Sequence, residues 1–137
     1  MIGVLIVAHD TLGRSLVDAV THVLGSRPAQ FDVFPVSPTD DPVVLLPKAR
    51  AVLRTIDSGE GALVLADIYG ATPSNLAMKL LEPGRVEVVA GVNLPMLVRV
   101  FTYRTKGLDM LVKKAISGGC EGVLHVELDP AYAATRN

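Results

Sequence analysis

Apolar and polar positions follow two rhythms along this chain, one suited to strands and one to helices. Residues 1–8, MIGVLIVA, are almost wholly apolar and rich in β-branched side chains, as in a strand buried on both faces. Over 11–24 the period becomes helical. Leu12, Leu16, Ala19, Val20 and Val23 are expected on one face, Arg14, Asp18 and Thr21 on the other, with Gly25 as the stop. FDVFPV at 31–36 predicts a second strand, which Pro35 places at a sheet edge. SPTDDP (37–42) reads as a turn into a helix over 43–57 that ends by Gly59.

GALVLAD at 61–67 predicts a third strand, again closing on a polar residue. YGATPSN (69–75) reads as a loop entering a helix, with Thr72 at the N-cap and Pro73 at the first helical position. That helix stops before Pro83 and Gly84. RVEVVAG (85–91) predicts a fourth strand, and NLPML opens a helix over 93–103. KGLDMLVKKAIS (106–117) predicts another helix, closed by Gly118 and Gly119. Residues 121–128, EGVLHVEL, alternate: Leu124, Val126 and Leu128 on one side, His125 and Glu127 on the other. Alternation predicts a half-exposed, edge-like strand. Residues 129–137 read as a C-terminal tail.

Strands alternating with helices predict an α/β fold: a three-layer sandwich with a mostly parallel sheet and helices on both faces. One domain over 1–128 accounts for the pattern. In such sheets the crevice lies at the carboxyl ends of the strands, where strand order reverses. His9 stands at the end of the first strand, Asp67 at the end of the third, and Asn93 and Leu94 just past the fourth. All are expected at one edge.

Composition sharpens the class. Apolar residues make up 50% and charged residues 20% of the 137 residues, which suits a packed core; aromatic residues are only 4%, so that core is aliphatic. A net charge of −1 gives no basic surplus for nucleic acid or an anionic membrane. The single cysteine, Cys120, forms no internal disulfide and fits a cytoplasmic protein in which it is structural. The N-terminal apolar run is too short to span a membrane.

A histidine and a carboxylate on neighbouring strands can meet. A carboxylate that accepts from one ring nitrogen fixes the tautomer and leaves the other nitrogen as a nucleophile. The GATPSN segment adds the N-terminal turn of a helix, with free N–H groups and a positive dipole end suited to an anion. Gly70 is expected to let the backbone approach closely, and Thr72 adds a hydroxyl. There is no G-x-x-x-x-G-K-[ST] loop, no complete dinucleotide fingerprint in GEGALV, no G-x-S-x-G elbow and no zinc spacing among three histidines and one cysteine. No metal or cofactor is expected. His22 and His125 read as solvated surface residues. A reactive histidine with an anion cradle and no nucleotide motif suits an already activated phosphoryl donor, such as a phosphohistidine on another protein.

IVAHD, ADIYGATPSNLA and GVNLPMLVRV, in this order and spacing, together resemble the IIA domain of the mannose family of the bacterial phosphoenolpyruvate-dependent sugar phosphotransferase system. The resemblance covers about residues 1 to 128. It implies that His9 takes a phosphoryl group on Nε2 from the phosphocarrier protein HPr and passes it to a IIB component, a membrane permease being involved only indirectly. It implies that Asp67 orients the ring and that Gly70, Ala71 and Thr72 contact the phosphoryl group. It also implies one antiparallel C-terminal strand, with 121–128 as the candidate, and a homodimer that exchanges it. Asp10 stands where many members have glycine, and is expected either to repel the phosphoryl group or to cap the first helix; Ala71 replaces a second glycine. Nothing follows Asn137 in the sequence, so a free-standing carrier is expected. Two roles are open: a step in sugar uptake, or a regulatory protein whose phosphorylation state signals metabolic status. A small-ligand-binding protein with a structural His9 is the reading that the three motifs together disfavour.

Overall fold

A computed structural model describes residues 1–128 and Ala131. The elements run β1 (Gly3–His9), α1 (Leu12–Leu24), β2 (Phe31–Val36), α2 (Pro42–Ile56), β3 (Ala62–Ala66), α3 (Thr72–Leu80), β4 (Val86–Ala90), α4 (Leu94–Thr102) and α5 (Leu108–Glu121). The four strands form one parallel sheet in the order β2-β1-β3-β4.

The two unbroken apolar runs fall on the two central strands. Every residue of β1 before His9, and all of β3, is buried, whereas the edge strands β2 and β4 are only partly so. A central strand under helices on both faces has no solvated side, which is why its sequence does not alternate. Its side chains nevertheless divide by parity. Val4, Ile6 and Ala8 of β1 and Leu63 and Leu65 of β3 pack under α1, α4 and α5. Leu5, Val7, Ala62, Val64 and Ala66 pack under α2 and α3. Pro35 sits on an edge strand, where its missing N–H costs no ladder bond.

Three expectations change. The buried stripe of α1 is Gly13, Val17 and Val20, while Leu12 and Val23 are exposed. The inward face is rotated from the predicted one, because Gly13 lets the helix settle against Ile6 and Val33 of the sheet. Second, Gly118 and Gly119 do not end a helix; they lie inside α5, buried. A Cβ on Gly118 would come within 2.5 Å of the Arg99 Cβ, so the glycine is there for close approach of α5 to α4. Third, α5 runs through Glu121, and residues 123–128 form neither helix nor strand. Their alternation finds no strand to pair with among the described residues, and Val123, Leu124, Val126 and Leu128 are all exposed. The antiparallel strand is therefore not part of this sheet. Cys120 is exposed and not part of the core.

Arg104 organises the sheet edge opposite His9, and the hydrophobic pattern gives no hint of it. It is buried, donates to the carbonyl oxygens of Ile2, Ala29 and Gln30, and lies over the Phe101 ring. Burial pulls its guanidinium below the ordinary arginine value.

Candidate functional site

Strand order reverses between β1 and β3, and the two polar groups predicted there are in contact. His9 is the last residue of β1 and Asp67 follows β3 directly. The register pairs Val7 with Ala66, which brings Asp67 level with Ala8, within one residue of His9. Asp67 Oδ2 accepts from the His9 backbone N–H at 2.9 Å and lies 2.6 Å from His9 Nδ1. Asp67 Oδ1 accepts from the Ile68 N–H at 2.8 Å. Burial pushes this carboxyl up, but the hydrogen bonds from the His9 N–H, the His9 ring and the Ile68 N–H outweigh it and hold it below its ordinary value. The carboxylate is thus charged and accepts only, so the hydrogen between them belongs to Nδ1. The Asp67 side chain is 8% exposed and that of His9 31%. Nε2 has no hydrogen-bond partner among the described residues, and in the neutral ring with its hydrogen on Nδ1 it is the nitrogen with the lone pair.

The β3–α3 loop brings Gly70, Ala71 and Thr72 to the same edge. Gly70 adopts φ +88°, and a Cβ there would meet nothing within 4 Å. This left-handed backbone is one that glycine adopts without strain. Thr72 is the first residue of α3, and the N-cap position belongs to Ala71. The Thr72 hydroxyl makes no capping bond; it donates to Pro38 O at 3.3 Å, reaching the loop after β2. The buried Ser74 holds the turn instead: its Oγ accepts from the Gly70 N–H and donates to Ala71 O, both at 2.9 Å. The Thr72 and Ser74 N–H groups have no partner among the described residues and stand at the positive end of the helix.

Other predicted residues are placed differently. Asn93 does not serve the crevice: its Oδ1 accepts from the Met96 N–H to cap α4, and its Nδ2 donates to Gly119 O. Asp10 does not cap α1, whose N-cap is Thr11 without a side-chain bond. Asp10 instead takes φ +46°, with its N–H donating to Val36 O. Left-handed backbone is what a glycine would supply at that position, and aspartate is among the residues that tolerate it. His22 and His125 are exposed. Among the described residues no three His, Cys, Asp or Glu side chains group to hold a metal ion, and no helix is long and apolar enough to cross a membrane.

Sequence reasoning passed over Ser74 and the exposed pair Ile68 and Tyr69 beside Asp67. Ser74 was legible only as a generic early-helix serine. The apolar pair lies in a stretch that reads as loop, where large side chains carry no periodic signal.

Residues 3–116 match the EIIA-man family, described as the PTS system fructose IIA component. The chain is 30% identical over 136 residues to the PTS system mannose-specific EIIAB component of Escherichia coli strain K12, a match spanning 97% of this chain and 42% of that protein. The chain therefore spans less than half the length of that relative. It is 31% identical over 105 residues to the PTS system fructose-specific EIIA component of Bacillus subtilis strain 168, covering 76% of this chain and 71% of that one. The mannose/sorbose specific IIA subunit from Enterococcus faecalis shares the fold, with a TM-score of 0.81 at 23% identity over 93% of this chain and 96% of that chain.

Proposed function

The chain belongs to the mannose family of phosphotransferase system IIA components, and from that premise we propose that it is a cytoplasmic phosphoryl carrier working through His9. Nε2 attacks the phosphorus of a phosphohistidine on HPr. A new N–P bond forms as the donor's N–P bond breaks, and the donor imidazole leaves with the electron pair. The His9 ring becomes cationic while it holds the phosphoryl group, and the buried Asp67 carboxylate at Nδ1 offsets that charge. Return of the group to a nucleophile on a IIB component reverses the same step. Donor, carrier and acceptor sit at a similar chemical level, so the work left to the protein is alignment and charge stabilisation.

One contact carries the proposal: Nδ1 is tied to Asp67 Oδ2 at 2.6 Å, so Nε2 points its lone pair outward at the strand-order switch. The unpaired Thr72 and Ser74 N–H groups and the Thr72 hydroxyl suit the phosphoryl oxygens. The exposed Ile68 and Tyr69 beside the site suit a protein donor, since an apolar rim has no use for a small ionic one. The test is to mix the purified protein with phosphorylated HPr and follow an acid-labile phosphate. His9→Ala should take up none; label on that variant would refute the assignment. Adding candidate IIB proteins shows whether the phosphate moves on toward a permease or stays as a signal.

The same reading includes a homodimer. Residues 123–128 alternate in sequence like a strand; His125 and Glu127 lie 3.4 Å apart, and Leu124, Val126 and Leu128 are exposed. A second copy offers a sheet edge for them.

A further inference from the structure

The edge of the sheet opposite His9 carries a second concavity. A cavity of about 430 Å³ opens between the C-terminal ends of α2 and α3 and the start of β4. Its floor is apolar and buried, formed by Leu53, Leu80 and Val86. Its rim carries Arg50, Arg54, Lys79 and Arg85 against only two acids, Asp57 and Glu82. Both acids face Arg85, Asp57 at 3.0 Å and Glu82 at 3.9 Å. Asp57 is further engaged by the Gly59 and Gly61 N–H groups. Arg50, Arg54 and Lys79 have no ion-pair partner among the described residues.

Structure alone gives a weak reason for this arrangement. Arg50 and Arg54 are four residues apart on α2, where like charges repel. The C-terminal dipoles favour Arg54 in the last turn of α2 and Lys79 in the last turn of α3. Arg50 lies too far from the helix end to share in that. A concave, apolar-floored site with a few convergent charges is how proteins hold small molecules, whereas a flat basic patch would suit an acidic protein surface. Guanidinium groups match phosphoryl oxygens in geometry as well as charge.

We propose that this cavity binds a phosphorylated organic molecule of nucleotide or sugar-phosphate size. Its phosphoryl oxygens meet Arg50, Arg54 and Lys79, and its body lies on the Leu53, Leu80 and Val86 floor. The site is separate from His9, about one strand length, roughly 15–20 Å, away along the sheet, and it does not depend on the phosphoryl-carrier reading.

Isothermal titration with adenosine 5′-diphosphate and with glucose 6-phosphate tests it, and also tells a nucleotide from a sugar phosphate. The expected result is saturable one-to-one binding of at least one of them. It should weaken about tenfold or more, some 1.4 kcal/mol, in Arg50→Gln/Arg54→Gln and in Lys79→Gln, and persist in His9→Ala. These side chains are exposed, and circular dichroism checks that the variants keep the fold. The proposal is overturned if neither ligand saturates at millimolar concentration, or if the arginine variant binds as well as the parent. Loss of binding in His9→Ala, or capture of poly-glutamate in place of both small ligands, overturns it as well.

Discussion

Asp67 Oδ2 receives two donors from one residue, the His9 backbone N–H at 2.9 Å and the His9 ring at Nδ1, 2.6 Å away. The carboxylate therefore locks both the end of β1 and the tautomer of its side chain. Asp67→Asn keeps the shape and removes the charge. Phosphoryl transfer from HPr should slow by about 100-fold, while His9 remains the labelled residue. Label at an undiminished rate would show that ring orientation does not need the carboxylate.

The same contact sets a pH dependence. The folded-state pKa of Asp67 is held below its ordinary value of 3.8. Its contribution to stability is therefore present in full above that ordinary value and is lost as pH falls through the lower folded value. The stability difference between the parent and Asp67→Asn, measured by urea unfolding, should be largest near neutrality and shrink as pH falls below about 4.

Asp10 adopts a left-handed backbone at φ +46° beside His9. Asp10→Gly should change stability by less than about 1 kcal/mol, since relief of strain offsets the added freedom of the unfolded chain. Asp10→Val should cost about 1–2 kcal/mol, because a β-branched residue fits that region poorly. If Asp10→Asn, which tolerates the same left-handed backbone, speeds phosphorylation, the charge and not the backbone is what Asp10 adds to the site.

Ser74, and not Thr72, makes the side-chain bonds that hold the start of α3. Ser74→Ala should cost about 1 kcal/mol, because the Gly70 N–H loses its Ser74 partner while Ala71 O keeps only the Asn75 N–H. Thr72→Ala removes no cap and should change stability by less than about 0.5 kcal/mol, yet slow phosphorylation if its hydroxyl meets the phosphoryl group. Paired unfolding and transfer measurements on the two variants separate scaffold from chemistry.

Gly118 faces Arg99 Cβ so closely that an added methyl would lie 2.5 Å from it. Gly118→Ala should destabilise by about 1–3 kcal/mol through overpacking between α4 and α5. Ser117→Ala, next to it, should have a smaller effect in the same thermal unfolding series.

The exposed stripe of residues 123–128 predicts association. Leu124→Asp/Val126→Asp should leave thermal unfolding of the α/β body nearly unchanged and convert a dimer to a monomer in light scattering. A parent protein that is already monomeric at micromolar concentration would remove the dimer from the proposed function.

Much of this molecule is legible in its sequence. The apolar runs that become Gly3–Ala8 and Ala62–Ala66 mark central strands, because only strands covered on both faces are apolar throughout. Their polar ends, His9 and Asp67, fall at the carboxyl edge, since parallel strands all finish on one side. The three motifs name the family before any coordinate is seen. Tertiary structure decided the remainder, for reasons local pattern cannot contain. The placing of β1 next to β3 turned two separate polar residues into one hydrogen-bonded pair. The close passage of α4 by α5 carried Gly118 and Gly119 inside a helix, where sequence shows only two breakers. The backbone angle at Asp10 and the two bonds of Ser74 depend on where neighbouring segments run. An alternating stretch such as 123–128 becomes a strand only where an edge is present to pair with it. Periodicity reports which side of a segment wants burial; the partner that provides it is a property of the folded chain.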